Sequence, residues 1–236
     1  MTSLDSVRQK MYRAKKHFDE LREELVAYYD SDPGGLVETE ESTPEHRKFV
    51  FREKKPVPAR LALICGDGLQ CLRSSLDYMV WELVESAGKQ PHRRLMFPIA
   101  MSEATYMDDL VKRKRLDGVD PNAIALIGSF QPYHLPDPKN SVLGIFEELT
   151  NINKHRRVIL TRLLSSEGEY PLPFPHILGV VKNVTLDGEI LAETSLRGFI
   201  CINDGFARDI EITDCLDTIA RFIGEEMLPC FEKYFE

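Results

Sequence analysis

The first thirty residues hold the feature that most restricts the fold. Leu4, Val7, Met11, Ala14, Phe18, Leu21, Leu25 and Tyr28 recur at alternating spacings of three and four. Such residues share one face only on a helix, and so long an apolar stripe predicts a bundle-type helix that needs a second apolar surface to cover it. "SDPGG" from Ser31 marks its end.

A second long helix supplies a matching surface. After "KKPVP", the stretch from about Ala59 to Ser86 places Leu61, Cys65, Leu69, Leu72, Leu76, Met79, Val80 and Leu83 on one face. Asp67, Gln70, Arg73, Ser74, Asp77 and Trp81 gather on the other, a polar stripe expected to face water. Trp81 at its end points to partial cover of that stripe. Gly66-Asp67-Gly68 has the outline of a dinucleotide-binding turn, but the third glycine of that motif falls on Cys71. The apolar pattern also runs through both glycines, so close helix packing is the reading adopted.

Shorter elements follow. Ser102 caps one helix, Asp120 with Pro121 opens another that stops near Gly128, and Ser141 caps a third. That third helix carries Val142, Ile145, Phe146, Leu149 and Ile152 and leads into "NINKHRRVILTRLL". The last helix carries Ile212, Leu216, Ile219, Ile223, Met227 and Phe231. Residues 31–44 read as a polar loop. Alternation of Phe49 and Phe51 with charged residues predicts a strand at about 46–54, and residues 176–203 read as strands around an Asp187-Gly188 turn. The expectation is an α+β fold, 1–236 as a single domain, mainly helical, in which four long helices carry a small antiparallel sheet. The strand near residue 50 is expected to pair with those of 176–203.

Charge and cysteine usage narrow the function. A net charge of −8 argues against general affinity for nucleic acid, and no DNA partner is expected. The basic run Lys112 to Arg115 reads as solvated surface, whereas Asn153, Lys154, His155, Arg156 and Arg157 crowd the end of an apolar helix, where cations offset its dipole. Five cysteines without a C-x-x-C pair, no apolar leader and no membrane-length apolar run predict a cytoplasmic protein with free thiols. No histidine has a glutamate three residues before it and no H-E-x-x-H occurs, so no metal and no cofactor is expected.

"GDGLQCLRSSLDYMVWEL", "MFPIA", "FQPYH" and "ELTNINKHRRVI" occur in that order within roughly residues 60–160. The set resembles a bacterial protein family of uncharacterised function with the motifs GD…NLRSALDH, FPI, QPY and DKHR. Its arginine helix is similar to that of HEPN domains, helical bundles of which several are metal-independent ribonucleases of toxin–antitoxin or defence systems. Those enzymes use R-x(4–6)-H at a dimer interface. The resemblance implies a HEPN-like four-helix bundle, with Arg73 at the HEPN arginine and Tyr78 where the histidine would stand. Cys71 and Asn153 replace the family's asparagine and aspartate, while Lys154, His155 and Arg156 match it.

Two functions use these residues. RNA cleavage without metal needs a base, an acid and a cation for the phosphorane. Arg73 suits the cation, tyrosine is a poor base near neutrality, and His155 is the replacement base if its helix packs on the polar stripe. In the other function Arg73 and Asp77, four apart, form an ion pair and join Asn153 and His155 in a network clamping two helices. The clamp is preferred. The expected protein is then a non-catalytic HEPN-like domain acting through protein association, as a homodimer or with another protein. The rival is a ribonuclease or RNA-binding effector with Arg73 and His155 catalytic and Asp77, Tyr78, Asn153, Lys154 and Arg156 in support. A reaction site leaves Arg73 and His155 accessible in a cleft, whereas a clamp buries them with their donors satisfied.

Overall fold

The computed structural model describes residues 4–38, 40, 49–158, 160–165, 176–184, 190–203, 205–208 and 210–235. The fold is mainly helical. The stripe of the first thirty residues forms helix α1, Asp5–Asp30, and the second stripe forms α2, Ala59–Ser86. The two pack lengthwise, burying Val7, Ala14, Phe18, Leu21 and Leu25 with Leu61, Leu69, Leu72 and Leu76. Apolar packing continues as one cluster from Leu4 to Phe231. Three of the five free cysteines, Cys65, Cys201 and Cys215, are buried. Burial pushes the Cys215 thiol up to about 12.

Capping residues act where the sequence places them. Helix α3, Glu103–Val111, starts at Ser102, whose Oγ accepts the Thr105 N–H at 3.2 Å. Helix α4, Pro121–Ser129, starts at Asp120, which accepts from Asn122 N at 2.8 Å. Helix α5, Val142–His155, starts at Ser141, which accepts from Gly144 N at 3.0 Å. Each side chain satisfies one of the amides that a helix start leaves without a partner. Ser141→Ala is expected to lower stability by about 1 kcal/mol, read as a lower denaturation midpoint at an unchanged slope.

The last helical stretch is not uniform. It consists of α6, Ile212–Arg221, a π-helical segment Phe222–Met227, and α7, Leu228–Phe231. Ile219, Ile223, Met227 and Phe231 are all buried, although successive steps of four residues drift by about 40° per step on an ideal α-helix. The wider turn absorbs that drift and keeps the four on one face.

The β structure departs from expectation in two places. Strand β2, Phe49–Glu53, pairs antiparallel with β1, Gly34–Glu38, in the stretch read as polar loop, with Leu36 opposite Phe51. It does not join the later strands as a ladder neighbour. Those form a separate antiparallel sheet of order β3-β5-β4, from Leu160–Ser165, Ile190–Ile202 and His176–Val184. Strand β3 was hidden in "VILTRLL", because a short apolar run reads equally as strand or helix tail. The chain turns at Arg156, whose backbone is extended directly after α5. Residues 46–48 and the Asp187-Gly188 turn lie outside the described residues.

Candidate functional site

Three of the four sequence motifs meet around one stretch of irregular backbone. Residues Phe97 to Ala100, of "MFPIA", are buried without belonging to a helix or a strand. Their peptide groups therefore need side-chain partners. Phe97 N donates to Asp77 Oδ1 at 2.9 Å, and Phe97 O accepts from Arg73 Nη2 at 2.6 Å. Gln131, of "FQPYH", donates through Nε2 to Pro98 O at 3.0 Å and accepts the Ala100 N–H at 2.9 Å. Gln131 is itself buried. Tyr133 contributes a ring contact with Tyr106.

Arg73 is the centre of this network. One turn of helix brings Asp77 beside it, with Nη2 and Oδ1 3.3 Å apart. From α5, Glu147 Oε2 accepts from Arg73 Nη1 at 3.2 Å. Glu147 Oε1 in turn accepts from Asn151 Nδ2 at 3.1 Å, and Asn151 Oδ1 accepts from Lys154 Nζ at 3.1 Å. Arg73 is only 3% exposed, so these groups replace the water shell of its guanidinium. Burial raises the Asp77 carboxyl above its ordinary range, and the Arg73 charge and the Phe97 N–H bond pull it back only in part.

Asn153 fixes the far end of the same interface. Its Nδ2 donates to Gly66 O at 3.1 Å, and a Cβ on Gly66 would lie 2.2 Å from Asn153 Oδ1. Gly66 is thus the landing place for the end of α5, and the outline of a nucleotide-binding turn dissolves into helix packing. The expected contact between α5 and the polar stripe of α2 is present. It is made by Glu147, which sequence reasoning did not single out; Asn153, expected to join Arg73 and Asp77, bonds Gly66 instead. The signal was there in the spacing, since 147, 151 and 154 share one face of α5.

The remaining site residues lie apart from Arg73. His155 and Arg156 are exposed at the end of α5, with Arg156 Nη1 donating to Arg157 O at 3.3 Å. Among the described residues no hydrogen bond or ion pair joins His155 to Arg73 or Asp77. Tyr78 is 43% exposed, because five residues on a helix rotate it well away from Arg73. Lys10 of α1 holds its Nζ 5.3 Å from the Tyr78 ring centroid.

The other basic run is committed as well. Arg113 Nη1 and Arg115 Nε reach the buried Asp109 carboxylate at 2.9 and 3.2 Å, and Lys112 pairs with Asp108 at 2.8 Å. The run lies largely at the surface, as expected, and three of its four cations have carboxylate partners. Among the described residues no cluster of three His, Cys, Asp or Glu side chains is set to hold a metal, and no helix is long and apolar enough to cross a membrane. Comparison of the chain with protein-family models, curated proteins and solved structures finds no match.

Proposed function

We propose that this chain is a non-catalytic HEPN-like four-helix bundle with attached antiparallel β structure, one α+β domain acting through protein association in a bacterial cytoplasm. The observation that carries the reading is the lodging of Arg73. Its guanidinium is buried among Glu147, Asp77 and the Phe97 carbonyl. An arginine that stabilises a phosphorane has to reach substrate, and this one is spent on holding α2, α5 and the 97–100 segment together. The partner is a second copy of the chain or another protein.

A second reading, an RNA-binding or RNA-cleaving effector, draws on a different observation. Lys154, His155, Arg156 and Arg157 are exposed side by side at the end of α5. One assay tests the cleaving form of this second reading. The purified protein and a His155→Ala variant are incubated with a mixed RNA pool in the presence of chelator. His155 is exposed, so the variant is expected to fold normally. No cleavage by either protein is the expected result. Cleavage by the parent that disappears in His155→Ala overturns the reading in favour of the ribonuclease.

A further inference from the structure

A groove opens on the solvent side of the Arg73–Asp77 pair. Its cavity measures about 460 Å³ and is lined by Ser6, Asp77, Tyr78, Trp81, Glu82 and Leu95. Trp81 is 42% exposed and Tyr78 is similarly open, which is costly for large aromatic groups that only pack. Two carboxylates share the groove with these rings, and among the described residues no cation lines it. Ser6 Oγ donates to Glu82 Oε1 at 2.7 Å and so fixes one of them. Both close contacts of Asp77, to Arg73 and to Phe97 N, fall on Oδ1. Aromatic faces beside held carboxylates are the surroundings that a cation on an apolar stem prefers. Lys10 already shows the preference, its Nζ standing over the Tyr78 ring 5.3 Å from the centroid.

We infer that this groove receives a lysine or arginine side chain of a partner protein, its charge between Asp77 and Glu82 and its stem against Trp81 and Tyr78. Leu95 supplies an apolar wall for the adjoining part of the partner. The inference rests on the association reading above and gives that surface its partner chemistry.

Trp81 is the one tryptophan of the chain, so its emission reports on this groove alone. Titration with N-acetyl-lysine methylamide or N-acetyl-arginine methylamide at fixed ionic strength is expected to give a saturable emission change in the millimolar range. The neutral N-acetyl-norleucine methylamide should give none. Glu82→Gln should weaken binding about tenfold, the scale of one charge-assisted contact. Tyr78→Leu, altered at an exposed position, should weaken it too. Absence of saturation, equal response to the neutral probe, or binding unaltered in both variants overturns the inference. Equal affinity for butylammonium overturns the protein source, because it shows that the groove takes any free amine. The emission readout does not depend on RNA cleavage, so the groove and the association reading can fail separately.

Discussion

Replacing Arg73 by methionine should cost about 3 kcal/mol of unfolding free energy, the lower end of the range for removing one member of a buried ion pair. Methionine keeps most of the stem volume, so the loss is electrostatic and not a cavity. It leaves Phe97 O without its donor and strips the counter-charge from Asp77 and Glu147. Those two carboxylates are partly exposed, and water can recover some of their solvation, which is why the lower end applies.

A pH series tests the cause. The folded-state pKa of Asp77 is already raised by burial, and Arg73 is the largest influence that lowers it. Without Arg73 it rises further above its unfolded value. A carboxyl raised in this way favours the folded state below its unfolded pKa, and that contribution is lost as pH rises through the folded pKa. The deficit of Arg73→Met should therefore be larger at neutral pH than near pH 4, measured by denaturation at both. A deficit independent of pH would mean that the arginine acts through its stem alone. Preserved stability would remove the clamp and with it the basis for a non-catalytic role.

How far these features were legible in the sequence depends on how local their cause is. The stripes of α1, α2 and the last helix, and the caps Ser102, Asp120 and Ser141, rest on neighbours within one turn, and they stand where expected. The partner of β2 was not legible. Pairing of Gly34–Glu38 with Phe49–Glu53 is settled across a connection, and two glycines at the head of β1 conceal a strand in a loop-like composition. Within the site, the Arg73–Asp77 pair follows from a spacing of four. Its burial does not, because it requires α5 and the 97–100 segment to close over one part of a stripe whose other members, Asp67, Gln70 and Trp81, stay exposed. Trp81, taken as a sign of cover, is open to solvent and bonds Glu85 through Nε1 at 3.1 Å. The cover sits about one and two turns earlier, at Asp77 and Arg73.

Gly68→Ala is the second large effect, and it tests why the glycines of α2 are there. Alanine in a helix interior is ordinarily better than glycine by about 1 kcal/mol. Here a Cβ would lie 2.3 Å from Phe18 Cε1 and 2.8 Å from Cδ1, inside the contact distance of any packed pair. Phe18 is buried between α1 and α2, so its ring has no open space to swing into. Overpacking of this kind costs about 1–3 kcal/mol, and opening the α1–α2 contact, the main seam of the core, puts this case near the top of that range. The net expectation after the gain in helix propensity is a loss of about 1–2 kcal/mol. Gly66→Ala should be milder, since Asn153 at the end of α5 is half-buried and can rotate away at the cost of one hydrogen bond. Trimming the ring should relieve the clash. Phe18→Leu combined with Gly68→Ala is expected to be more stable than the sum of the single losses allows, a coupling above 0.5 kcal/mol for residues in contact. Strict additivity would place Phe18 elsewhere and reopen Gly66-Asp67-Gly68 as something other than a helix seam.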